Sequence, residues 1–223
     1  MRPHVVAQLA VSLDGATTGF EADHARLYAL ATLWQEDVTL IGADTLLAQE
    51  SSVRTALRPG PRDAGPLLAV VDSRHRVHNL EALRELGYWS DVLALYSELT
   101  PARRADSLIR ELVTGYDHVD LAECLDHLGR RGARLVRVDS GGGLLGAMID
   151  QGLVDELCLL IHPVLIGDAP RWHDSFTRHL DLSLANVETF LPGVTWLRYC
   201  VAESSVEVGE TEFLRDVKLP EGS

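Results

Sequence analysis

Three consecutive glycines, Gly141-Gly142-Gly143, follow the short β-branched stretch Leu135-Val136-Arg137-Val138-Asp139. After them Leu144, Leu145, Met148 and Ile149 are apolar at helical spacing. A glycine turn between a strand and a helix bares backbone N–H groups at the helix N-terminus, which suits an anion such as a pyrophosphate. Gly141-x-Gly143-x-x-Gly146 matches the dinucleotide fingerprint in form. A Rossmann domain also needs an acidic residue ending the next strand, to hold a ribose. Here that strand, Glu156–Ile161, runs into His162-Pro163, so a Rossmann domain is disfavoured. Two readings stay open: a phosphate-binding turn, or a tight turn that packs helix close to strand. Ser51–Pro66 carries Arg54, Arg58 and Arg62 beside Pro59-Gly60-Pro61 and reads as a long loop, a common form for lids and binding loops. The nine histidines form no persuasive metal set, since His75-x-x-His78 lacks a nearby third ligand. No G-x-S-x-G elbow points to a hydrolase.

The elements that must position these residues alternate between two periods. Strands are predicted at Val5–Ser12, Val38–Gly42, Leu67–Val71, Val92–Tyr96, Leu135–Asp139 and Glu156–His162. Leu27, Leu30, Ala31 and Trp34 repeat at helical spacing, as do Leu121, Cys124, Leu125 and Leu128. Leu80, Leu83 and Leu86 follow Asn79, a suitable N-cap. Such alternation predicts an α/β sheet with helices on both faces. After Gly167 no strong helix appears. Leu182–Thr189 and Thr195–Val201, joined through Pro192-Gly193, predict an antiparallel pair that makes the sheet mixed.

With 223 residues, 46% of them apolar and 24% charged, the chain can bury a sizeable core. The simplest organisation is a single domain over residues 1–201, with residues 202–223 an acidic tail or edge strand. A net charge of −13 argues against nucleic acid and anionic membrane as partners. The three cysteines are dispersed, no signal-peptide pattern opens the chain and no apolar run has membrane-span length, so a soluble, cytoplasmic protein is expected.

Four segments in order carry a family resemblance over roughly residues 4 to 201. They are Ser12-Leu13-Asp14-Gly15-Ala16; Leu40-Ile41-Gly42-Ala43-Asp44-Thr45-Leu46-Leu47-Ala48; Val70-Val71-Asp72-Ser73-Arg74-His75-Arg76-Val77; and Val138-Asp139-Ser140-Gly141-Gly142, which is followed by Gly152-Leu153-Val154-Asp155-Glu156-Leu157 and Pro163-Val164-Leu165-Ile166-Gly167. Together they resemble the reductase domain of riboflavin biosynthesis, within the dihydrofolate-reductase-like superfamily. The resemblance implies a three-layer α/β fold: a mixed, mostly parallel central sheet, helices on both faces and antiparallel C-terminal strands. It also implies NADPH as cofactor, commonly a homodimer, and reduction of a ribosylaminopyrimidine 5′-phosphate at ribose C1′. The H-x-E and P-C-x-x-C signature of the zinc deaminase fused to some relatives is absent from this sequence.

Site roles follow from the same resemblance. Gly42, Thr45, Ser73, Arg74 and the stretch Gly141, Gly142, Gly143 and Leu144 would contact the cofactor, with Ser73 and Arg74 near an adenosine 2′-phosphate. Arg76 would either share that task or lie in a solvated turn. Ser12, Asp14, Glu50 and Arg54 would line the substrate side. Asp14-Gly15 is also an ordinary turn pair, so shaping the pocket is the favoured task for Asp14. Asp139 would be the substrate-facing carboxylate and the candidate proton-transfer group, where many relatives have glutamate.

The segment Ala48-Gln49-Glu50-Ser51-Ser52-Val53-Arg54 departs from the family: Gln49 stands at an expected acid and the usual proline is missing. Phe20-Glu21-Ala22-Asp23-His24 also matches poorly. The cofactor half is therefore better marked than the substrate half. A related reductase of another pterin or pyrimidine, such as dihydrofolate, and a non-catalytic NADPH-binding module are the alternatives.

Overall fold

The computed structural model describes residues 1–55, 64–101, 107–173 and 176–201, with the side chains of 50–55 left aside. Strand β1 (His4–Ser12) is followed by α1 (His24–Ala31), β2 (Val38–Gly42), α2 (Ala43–Thr55), β3 (Leu67–Val71), α3 (Leu80–Glu85), β4 (Asp91–Tyr96) and β5 (Arg110–Val113). Then come α4 (Leu121–Arg130), β6 (Leu135–Val138), α5 (Gly142–Asp150), β7 (Glu156–His162), β8 (Leu182–Phe190) and β9 (Val194–Val201). The described strands form one sheet in the order β5-β4-β3-β2-β6-β1-β7-β9-β8. Every pair from β5 to β7 is parallel, whereas β7–β9 and β8–β9 are antiparallel. This is the mixed α/β sheet that the alternating periods predict.

Register decides which side chains share a face. Val5, Ala7, Leu9 and Val11 of β1 pack with Leu121, Cys124, Leu125 and Leu128 of α4 and with Leu145, Met148 and Ile149 of α5. Full burial of each valine, leucine, isoleucine or methionine among them contributes about 1.5–3 kcal/mol. On the other face, Leu68, Val70, Val92 and Ala94 meet Leu46 of α2 and Leu80 and Leu83 of α3. Leu27 of α1 covers Leu160 and Trp196. Among the described residues no helix is long and apolar enough to cross a membrane.

The structure revises several local expectations. The helix expected over Leu27–Trp34 is displaced: α1 runs from His24 to Ala31, and the amides of Leu33 and Trp34 bond back three residues to Leu30 and Ala31. Trp34 instead packs edge-on against Trp196, with ring centroids 6.1 Å apart. Asn79 takes the N-cap position of α3 without a side-chain capping bond. The loop predicted from Ser51 starts later, because α2 continues to Thr55. The acidic segment 202–223 lies outside the described residues, as do Arg58 and Arg62.

Candidate active site

The parallel strands end on one edge of the sheet, at Ser12, Gly42, Val71, Tyr96, Val113, Val138 and His162. From β2 the chain proceeds outward through β3, β4 and β5, whereas from β6 it crosses β1 to reach β7. Because β2 and β6 are neighbours, their carboxyl ends flank a topological switch point, where open α/β sheets bind ligands. Helix α2 begins directly after β2, and α5 begins just past β6. The two helix starts are tied together: the Gly42 amide donates to Ser140 Oγ at 2.9 Å. A Cβ on Gly42 would lie 3.4 Å from the Leu144 side chain, in ordinary van der Waals contact with α5. Two helix N-termini thus converge on one crevice and concentrate positive potential there.

The glycine turn is built as a cradle. Gly141 is the N-cap of α5, and Gly142 has φ +61°, a left-handed conformation. A Cβ on Gly142 would meet nothing within 4 Å, so that side of the turn is open. One on Gly141 would meet the Trp172 carbonyl at 2.9 Å. That carbonyl accepts the Gly142 amide at 3.0 Å, and one of the amides expected to be bare is therefore already engaged. Trp172 also donates its own amide to Gly15 O at 3.0 Å, joining the β1 turn to the glycine turn. Thr45 lies half-buried in the first turn of α2.

Ser12 and Asp14 both have partners within the protein. Ser12 Oγ donates to Asp14 at 2.5 Å and accepts the Ala16 amide at 2.8 Å, and the residue is 1% exposed. The Asp14 carboxylate takes the amides of Ile166 at 3.2 Å and Gly167 at 2.8 Å and pairs with Arg171 at 3.1 Å. The Ser12 hydroxyl first, and then the Gly167 amide, hold Asp14 well below the ordinary carboxylate range. These bonds fasten the 164–171 loop to the end of β1.

At the end of β3, the buried Asp72 carboxylate accepts the amides of Arg76 at 2.6 Å and Val77 at 2.8 Å and so folds the 72–77 turn. Ser73 is half-buried there, with Oγ accepting the Val119 amide at 3.2 Å. Arg74 is exposed and makes no ion pair among the described residues. Arg76 is engaged by Asp44 at 2.6 Å. The hydrogen bond and charge of Arg76, outweighing desolvation, hold Asp44 below its ordinary value. Glu50 and Arg54 fall on the later turns of α2, and their side chains lie outside the described part.

Asp139 follows β6 with its amide bonded to Leu40 O at 2.9 Å. Its Oδ2 accepts Arg137 Nη1 at 3.2 Å, and Arg137 Nε bonds Glu36 at 2.8 Å. The three side chains are only 13%, 6% and 11% exposed, for Asp139, Arg137 and Glu36 respectively. Burial works against the Arg137 charge, but the two carboxylates outweigh it and hold its pKa above the ordinary value. Desolvation of the phenol, then the Asp139 charge, raise the pKa of Tyr28 of α1. Tyr28, Glu36, Arg137 and Trp172 were not marked by the sequence. Trp172 acts through its backbone, and Arg137 reads as one polar residue in a strand.

The family model of the RibD C-terminal domain matches residues 3–196. The chain is 28% identical to the 2,5-diamino-6-ribosylamino-4(3H)-pyrimidinone 5′-phosphate reductase of Archaeoglobus fulgidus, over 94% of this chain and 95% of that one. It is 30% identical to the protein of the same name from Methanothermobacter thermautotrophicus, over 75% and 81%. A crystal structure of a pyrimidine reductase-like protein from Corynebacterium diphtheriae superposes with a TM-score of 0.68 at 20% identity, covering 91% of this chain and 93% of that one. The sheet is accordingly the dihydrofolate-reductase-like one expected from the sequence. From strand order, glycine turn and matched residues alike, the chain belongs to the RibD C-terminal domain family.

Proposed function

We propose that the protein is an NADPH-dependent reductase of a ribosylaminopyrimidine 5′-phosphate, of the kind named for its archaeal relatives. The observation that carries this reading is the convergence of the α2 and α5 N-termini at the β2–β6 switch point, beside a glycine turn with an open face. Backbone amides of Gly143 and Leu144 and the Thr45 hydroxyl would hold the cofactor pyrophosphate, with Gly42, Gly141 and Gly142 allowing its close approach. Ser73 and Arg74 would hold the adenosine end, Arg74 supplying the charge that prefers a 2′-phosphate. When bound, the cofactor supplies a hydride. The ring-opened ribose imine gains that hydride at C1′, its C=N π electrons move to nitrogen, and nitrogen takes a proton, giving the ribitylamino product. Asp139 faces that substrate and orients or exchanges protons with its N–H and O–H groups.

A second copy would cover the far end of the sheet. Leu182, Leu184 and Val187 on edge strand β8 are 41%, 55% and 50% exposed, on one face and beside Leu197 and Tyr199. A long apolar edge left open invites pairing. A reducing cytosol is the setting in keeping with three unpaired cysteines.

The test is cofactor oxidation with 2,5-diamino-6-ribosylamino-4(3H)-pyrimidinone 5′-phosphate and with its deaminated uracil counterpart. One NADPH should be consumed per ribitylamino product, and Asp139→Ala should slow turnover severely, leaving measurable residual activity, while the cofactor still binds. Protein that binds NADPH but oxidises it with neither compound would sink the reading. Light scattering should give twice the chain mass, reduced to one by Leu184→Lys.

A further inference from the structure

Arg137 is buried between two carboxylates, a costly place for a cation. Such clusters are often no more stable than apolar residues of similar volume. Stability alone therefore does not account for it, and its geometry points elsewhere. Arg137 lies two residues before Asp139 on the same face of β6, opposite Val6 of β1 and Thr39 of β2. Its guanidinium uses separate edges for its two partners: Nε for Glu36 at 2.8 Å and Nη1 for Asp139 Oδ2 at 3.2 Å. Glu36 is itself steadied by Thr39 Oγ1 at 3.4 Å and follows Gln35, which has φ +47°. Asp139 is fixed twice, at its amide by Leu40 O and at Oδ2 by Arg137. Oδ1 has no hydrogen bond among the described residues and is the oxygen left for a ligand.

We propose that Arg137, clamped by Glu36, is the positioning residue that fixes the Asp139 carboxylate so that Oδ1 faces the substrate. The inference rests on the reductase reading above. The clamp prevents Asp139 from rotating its second oxygen away, and it does so from beneath the crevice without touching substrate. Asp139 has a short side chain, and fixed geometry gives its one free oxygen a single direction. Misplacing a reacting group by about 1 Å costs about 100-fold in rate.

The experiment measures kcat/KM for the ribosylaminopyrimidine phosphate, NADPH affinity and thermal stability in Arg137→Lys and Glu36→Gln. Each substitution is made in the wild-type and in the Asp139→Asn backgrounds. Lysine keeps the charge but cannot span both carboxylates. Arg137→Lys should lower kcat/KM by about 100-fold and Glu36→Gln by about 10-fold, with NADPH affinity within about twofold. In the Asp139→Asn background both losses should shrink below about threefold, because they act through that carboxylate. Unchanged kcat/KM in either folded variant, or a loss of equal size without Asp139, overturns the proposal. Should Arg137→Lys not fold, the Glu36→Gln pair decides by the same criterion. A wild-type chain that never turns over this substrate overturns the reductase reading and this proposal together, whereas turnover insensitive to the clamp overturns only the proposal.

Discussion

The backbone carbonyl of Trp172 accepts the Gly142 amide at 3.0 Å while standing 2.9 Å from where a Gly141 Cβ would be. The glycine turn is therefore held against a segment that lies thirty residues further along the chain. Gly141→Ala should force these backbones apart, lowering stability by about 1–3 kcal/mol. NADPH binding should weaken by about tenfold, or about 1.4 kcal/mol. Gly142→Ala has room for its methyl and loses only the left-handed preference, about 1–2 kcal/mol. Urea denaturation and cofactor titration of the two variants check this order.

Arg74 and Arg76 should differ in their effect on cofactor choice. Arg76 is already held by Asp44 at 2.6 Å, whereas Arg74 has no ion pair among the described residues. Arg74→Ala should weaken NADPH by about tenfold and leave NADH unchanged, since one charge-assisted bond to phosphate contributes about 1.5–3 kcal/mol. Arg76→Ala should have the smaller effect. Paired titrations with both dinucleotides give the ratio directly.

Acid should loosen the protein through identifiable carboxylates. Asp14 is held below its ordinary 3.8, chiefly by the Ser12 hydroxyl. Burial pushes Glu156 up, but hydrogen bonds from Arg198 and His4 outweigh it and hold the group below 4.5. A carboxylate lowered in the folded state adds stability that is present above its unfolded value and lost as pH falls through its folded one. Melting temperatures of Asp14→Asn and Glu156→Gln should lie below wild type above about pH 5. The gaps should close as pH falls below 3.8 and 4.5 respectively. A gap that stays constant to low pH would refute the linkage.

Thiol labelling should separate one cysteine from two. Burial raises Cys158 to about 12 and Cys124 to about 11, and Cys124 lies 3.2 Å from the Thr114 hydroxyl. Cys200 is exposed. Native protein at neutral pH should take up one equivalent of an alkylating reagent, and denatured protein three, as counted by intact mass.

Most of the sheet was legible because central parallel strands are near-continuous apolar runs, as Leu67–Val71 is. Strand β5 was not, since Arg110-Glu111-Leu112-Val113 is a four-residue edge with two charges and no period. The end of α2 was hidden by Gln49, Glu50, Ser51 and Ser52, a polar run that resembles a loop. In the site, glycines announce themselves because no other residue fits such a turn. The internal partners of Ser12 and Asp14 could not be read, because a residue type does not reveal which atoms are already engaged. The Trp172 carbonyl could not be read at all, since every residue has one.

Strand β1 has a further consequence for how the chain is made. Its two neighbours are β6 and β7, with His4 facing Leu135 and Val6 facing Glu156. A nascent chain therefore presents its first strand with both edges empty until most of the domain has left the ribosome. At about 5–20 residues per second, that wait is on the order of ten seconds. Throughout it, Val5, Val6, Ala7 and Leu9 are an open template for any other extended segment. Polypeptides halted between β5 and β6 should thus be captured by chaperones or aggregate, while those released after β9 close the sheet on themselves.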